Sequence, residues 1–201
     1  MLERGLEAAA RGAAVEAMET AYAAAGVDRF AAWVHETDRP MAADLDRRGY
    51  ALSETTRAMG MDLAAIRLPR PEIELGPPDW GEYVRIGELP PGLLDGIDQA
   101  AFHVVVGRLD GESVAAGIAL DLDGDCGIYN VGTLAHARRR GMGTAVTAAL
   151  VHDARDRGCE TASLQSTPVA ERIYAAVGFR DLGRILEYEP AALRRCGESR
   201  T

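Results

Sequence analysis

The sequence predicts an α/β fold, and three observations predict it. The apolar run 126–131 reads as a buried strand, and the glycine-containing stretch 131–145 follows it. Val146, Leu150 and Ala154 then recur four residues apart, which puts them on one face of a helix. Strand-like and helix-like segments alternate along the rest of the chain. With 201 residues, 47% apolar and 26% charged, there is enough chain for one good core, or for one domain and part of a second.

Residues 2–25 are alanine-rich with scattered charges and predict one helix ending near Gly26. The stretch 29–35 reads as a strand, 40–48 as a helix stopped by Gly49, and 55–63 as another strand. Pro69, Pro71, Pro77 and Pro78 interrupt 66–78, which suits a linker with a short edge strand at 72–75. A helical region is expected over 79–101, split at Pro90-Pro91. Residues 103–108 and 113–122 alternate about Asp110-Gly111, a strong hairpin signal. Asp123-Gly124 marks the next turn, into a strand at 126–133. After the helix that carries Val146 come a strand at 161–165, a helix at 169–177 and a strand at 180–188.

Composition narrows the function. The formal charge of −9 opposes a general nucleic-acid binder, whose affinity rests on neutralising phosphates. No apolar run approaches the roughly 18 residues of a membrane span. Glu3, Glu7 and Glu16 do not fit the basic-then-apolar plan of a secretion signal, so the cytoplasm is the expected compartment. Cys126, Cys159 and Cys196 match no zinc spacing, and no metal is expected. The absence of lysine beside abundant arginine and alanine reads as the codon bias of a high-GC bacterial genome.

The glycines after the strand carry the chemistry. At a loop-to-helix junction the first helical N–H groups have no internal partner, and the helix dipole favours an anion there. Glycine removes the side chain that would keep a phosphate from those donors. Arg138, Arg139 and Arg140 add charge at the same spot, so a pyrophosphate is the implied ligand. Arg138-x-x-Gly141-x-Gly143-x-Ala145 resembles the Arg/Gln-x-x-Gly-x-Gly/Ala fingerprint of the GCN5-related N-acetyltransferases, the GNAT family. Tyr174-Ala175-Ala176-Val177-Gly178-Phe179 is similar to the Tyr-x-x-x-Gly-Phe element found downstream in that family.

The resemblance implies a twisted mixed central sheet flanked by helices, and an acetyl-CoA-dependent N-acetyltransferase acting on a primary amine of a small molecule or peptide. It places main-chain groups of Val131, Thr133 and Leu134 against pantetheine, with one amide at the acetyl oxygen. Arg138, Arg139, Arg140, Gly141, Met142, Gly143 and Thr144 would hold the pyrophosphate. Ser166 would approach pantetheine, although the family often has Asn there. Tyr174 would protonate the departing thiolate; plain core packing is its other reading. Residues 79–101 would build the acceptor pocket. No general base stands out: Glu82, Glu88, Asp121 and Asp123 are possible bases at ordinary acidic positions, His103 reads as a buried structural imidazole before a base, and His35 as structural.

Two further readings stay beside this one. A non-catalytic acyl-CoA-binding regulatory module would show the same fingerprint. A nucleotide binder fits poorly, because a Walker loop needs lysine and a dinucleotide fold needs a third glycine. Residues 1–65 repeat the helix-strand-helix-strand order of the last third, and Leu45–Tyr50 parallels Tyr174–Phe179. They read as a degenerate half-GNAT repeat without the fingerprint, unless the order is merely a common one. The expected organisation is this half-repeat at 1–65, a linker and edge strand at 66–78, the acetyltransferase domain at 71–190 and a tail at 191–201. An exposed edge in the half-repeat would make a homodimer the natural cover.

Overall fold

The computed structural model describes residues 5–27 and 29–190. The chain divides into two compact units, Met1–Arg57 with Gly183–Thr201, and Ala58–Leu182. Its strands form one eight-stranded sheet, mixed as the resemblance implied, in the order β1-β8-β2-β7-β6-β5-β4-β3. These are β1 Ala32–His35, β2 Tyr50–Asp62, β3 Glu74–Gly76, β4 Phe102–Leu109, β5 Glu112–Leu122, β6 Asp125–Thr133, β7 Thr161–Ser166 and β8 Arg180–Pro190. The helices are α1 Ala8–Ala24, α2 Arg39–Arg47, α3 Trp80–Gly87, α4 Met142–Arg157 and α5 Glu171–Val177. The expected tail at 191–201, with Cys196, lies outside the described residues.

In the first unit α1 and α2 bury Val15, Met41 and Leu45 against Ala32, Val34, Tyr50 and Tyr188. Asp38 caps α2 by accepting from the Met41 N–H, and Pro40 suits the first turn, where its missing donor costs nothing. Arg11 and Asp44 tie the two helices with a largely buried ion pair at 2.6 Å. The first helix starts at Ala8, later than its alanine content suggested, and β1 is shorter than 29–35. Phe30 is stacked on Tyr22 at 4.4 Å instead of extending the strand.

In the second unit α4 packs Val146, Leu150 and Ala154 on the sheet, all three fully buried. Each large side chain so placed stabilises the fold by about 1.5–3 kcal/mol. The opposite sheet face is covered by α3, through Tyr83 and Ile86 on Val104, Val106, Ala116 and Ile118. Both hairpin turns form as expected, with Asp110-Gly111 and Asp123-Gly124 all at positive φ. The stretch after α3 departs from expectation. Pro90-Pro91 does not split two helices: 91–96 is turn, and only Gln99–Ala101 makes a short 3-10 turn before β4. The proline-rich stretch before β3 is pinned rather than loose. His152 on α4 hydrogen-bonds the Leu68 carbonyl at 3.0 Å, and Arg70 pairs with Asp153 and Asp156.

Candidate active site

The site grows from the place where β6 and β7 part. They pair in parallel from Asp125–Thr161 to Ile128–Leu164, after which β6 runs on to Thr133. A cavity of about 700 Å³ opens at this end of the two strands. Val131, Gly132 and Thr133 form its β6 wall; Arg138, Arg139 and Gly141 to Thr144 form its floor. Thr167, Val169, Ala170, Ile173 and Tyr174 close the far side.

Main-chain direction decides what the β6 wall offers. The Leu134 N–H is given to the Val114 carbonyl at 2.9 Å, toward β5. Strand alternation therefore turns the main-chain groups of Thr133 and Val131 the other way, to the open edge. Arg138 sits on that edge, its Nε donating to the Thr133 carbonyl at 3.1 Å.

The helix start is shaped for an anion. Gly141 is the N-cap of α4 at φ 79°, a left-handed conformation that glycine adopts without steric cost. It brings no side chain to cap the helix, and the first helical hydrogen bond runs from Ala145 N–H to Gly141 O at 2.9 Å. The N–H groups of Met142, Gly143 and Thr144 precede it, at the positive end of the dipole. A Cβ at Gly143 would lie 3.6 Å from Thr133 Oγ1 and 3.9 Å from Ile173 Cδ1, two cavity walls, so any longer side chain there enters the cavity.

Tyr174 borders the cavity from α5, 8% exposed and set edge-on to Phe179 at 6.1 Å. Burial raises its phenol above the usual range, which keeps the hydroxyl protonated at neutral pH. It is thus both a packed ring and a cavity wall.

Of the residues singled out in the sequence, Val131, Thr133, Arg138, Arg139, Gly141, Met142, Gly143, Thr144 and Tyr174 come together here. Three do not line the cavity. Leu134 packs toward α3 and spends its amide on β5. Ser166 is buried, and its hydroxyl donates to the Thr167 carbonyl at 2.8 Å. Arg140 is exposed beside the loop. The acidic candidates also lie elsewhere: Glu82 pairs with Arg85, and Asp121 with Arg157 at 2.6 Å. Glu88 ends α3, and Asp123 forms a turn. His103 is not a buried imidazole; its Nε2 stands 3.3 Å from Asp121, at the other end of the sheet. His35 is buried, with its Nδ1 2.8 Å from Thr37 Oγ1. Thr167, Val169, Ala170 and Ile173 were missed; only their place just before Tyr174 could have signalled them.

Among the described residues, no group of three or more His, Cys, Asp and Glu is arranged to hold a metal ion. No helix among them is long and apolar enough to cross a membrane.

Comparison with known proteins bears on the family and the fold. The profile of the Acetyltransferase (GNAT) family matches residues 72–179, more than half of the chain. No curated protein matches. Among solved structures, a GCN5-related N-acetyltransferase from Kribbella flavida is similar at 22% identity and a TM-score of 0.71, over 88% of this chain and 74% of that one. A GCN5-related N-acetyltransferase from Sphaerobacter thermophilus is similar at 18% identity and a TM-score of 0.57, over 80% of this chain and 59% of that one. An acetyltransferase from the GNAT family of Colwellia psychrerythraea is similar at 18% identity and a TM-score of 0.58, over 79% of this chain and 64% of that one. On the span of the family match and the fold it encodes, this chain belongs to the acetyltransferase (GNAT) family.

Proposed function

We propose that this protein is an N-acetyltransferase that moves the acetyl group of acetyl-CoA to a primary amine of a small molecule or peptide, by direct transfer in a ternary complex. The observation that carries the reading is one cavity with three features: an open strand edge, an uncapped glycine-bearing helix start and a buried phenol. Acetyl-CoA, when bound, supplies an acetyl group activated as a thioester.

The residues present suit such a donor. The open edge of Val131 and Thr133 offers main-chain groups to an extended amide-bearing arm, and the start of α4 offers N–H groups to a pyrophosphate. Arg138 and Arg139 add positive charge at the cavity wall. The Val131 N–H stabilises the carbonyl oxygen as it gains negative charge. Tyr174 Oη gives its proton to the leaving sulfur, and water takes the proton of the incoming amine. Holding both reactants in one cavity supplies much of the acceleration by positioning alone.

Within this reading residues 71–190 are the acetyltransferase domain, preceded by a degenerate half-repeat at 1–65 and a linker with edge strand at 66–78, and followed by a tail at 191–201. The net charge of −9 favours a small or peptide acceptor over nucleic acid. The cytoplasm of a bacterium is the setting we assign, and a homodimer is the assembly we would look for.

The test is steady-state kinetics of acetyl-CoA with a broad panel of small and peptide amines, read by released thiol and by product mass. Intersecting double-reciprocal lines are expected for at least one amine. Parallel lines would rule out direct transfer. Tight donor binding without turnover on any amine would favour the non-catalytic acyl-CoA-binding module.

A further inference from the structure

The direction of the β6 main chain depends on one irregularity. Across β5, Ala116 faces Gly132 and Ile118 faces Tyr129, so Asn130 and Val131 together oppose Gly117. This is a β-bulge, and Asn130 sits in it at φ 46°, in the left-handed region. Its effect is a change of face. Ile128 packs in the core on the α4 side. An unbroken strand would send Asn130 and Gly132 to that side as well, and Val131 to the side of α3. Instead the Val131 side chain meets the α4 side, 3.1 Å from where a Gly117 Cβ would stand. Gly132 faces α3, where its Cβ would lie 3.1 Å from the Ile86 carbonyl oxygen. A one-residue slip exchanges the hydrogen-bonding edges as well as the faces. The bulge is therefore what turns Val131 toward the open edge.

The end of α3 is seated on this bulge. Tyr83 is 3% exposed, and its hydroxyl pairs with the Asn130 carboxamide. Gly87 makes the room: a Cβ there would stand 2.5 Å from Asn130 Nδ2. We propose that Tyr83 and Asn130 are positioning residues, which lock the bulge from α3 and so aim the Val131 N–H at the acyl oxygen. The inference rests on the acetyl-transfer reading above. Neither side chain lines the cavity, so both act through Val131.

The test measures CoA and acetyl-CoA binding by calorimetry in wild type, Tyr83→Phe, Asn130→Gly and the double variant. CoA lacks the acyl oxygen, so its affinity reports the fold and the rest of the cavity. Asn130→Gly keeps a residue that accepts positive φ while removing the carboxamide. In each single variant CoA affinity should fall only by what the arm loses at Val131, while acetyl-CoA affinity relative to CoA falls about fivefold further, the worth of one ordinary hydrogen bond. The double variant should lose no more than either single one, because the two groups act as a unit. An unchanged ratio, additive losses, or equal weakening of both ligands would overturn the proposal and leave the function reading standing. Failure of wild type to bind either ligand would overturn both.

Discussion

In the proposed reaction Tyr174 would serve packing and chemistry together. Its ring fills the space beside Phe179, and its burial keeps the phenol protonated. Tyr174→Phe keeps the ring and removes only the acid. The expected outcome is a fall in kcat of about 100-fold, within the usual range for a general acid, with acetyl-CoA affinity unchanged. Kinetics and calorimetry on the variant check this; an unchanged kcat would return Tyr174 to a purely structural role. At this scale the sequence was readable where a residue type has few other reasons to stand in place. Gly141 at positive φ and Gly143 at the cavity wall are of that kind. Ser166 and Leu134 lie off the cavity for reasons their neighbours decide: a hydroxyl given to the next carbonyl, an amide given to β5.

Elements were legible where the signal is local. The Asp-Gly pairs fixed both turns, and the fourfold spacing fixed α4. The bulge at Asn130 was not, because it exists only as a mismatch between β6 and β5. Nor was the length of β2, whose first half exposes Leu52, Ser53 and Glu54 in succession and so breaks alternation. The join between elements also makes a prediction. Arg157 in the last turn of α4 forks onto Asp121 near the end of β5, at 2.6 and 2.8 Å. That hydrogen-bonded guanidinium lowers the Asp121 carboxyl to about 2. A depressed carboxyl stabilises the fold above its unfolded pKa of 3.8, and that stability is lost as pH falls through about 2. Asp121→Asn should therefore cost about 1–2 kcal/mol at pH 7, allowing for partial solvent screening. Urea midpoints of both proteins, taken from pH 7 to pH 2, should converge at the acid end. A gap independent of pH would contradict the assignment.

At the scale of the molecule, the order of elements in α1-β1-α2-β2 repeats in α4-β7-α5-β8. In the sheet β2 lies between β8 and β7, and β8 between β1 and β2. Sequence could show the shared order of elements, but not which strands are neighbours, because strand neighbours are chosen by long-range pairing rather than by local pattern. The candidate site escapes that difficulty. It is built almost wholly from 131–144 and 167–174, two short stretches brought together where β6 and β7 separate. We propose that this cavity binds acetyl-CoA through the start of α4. The most direct test is calorimetric titration of wild type and Gly143→Asp with acetyl-CoA, with dephospho-CoA and ATP as controls. Saturable acetyl-CoA binding by wild type is expected, with a sharp loss in Gly143→Asp, where a carboxylate would enter the cavity. Absence of binding by wild type, or equal binding by both proteins, would contradict it.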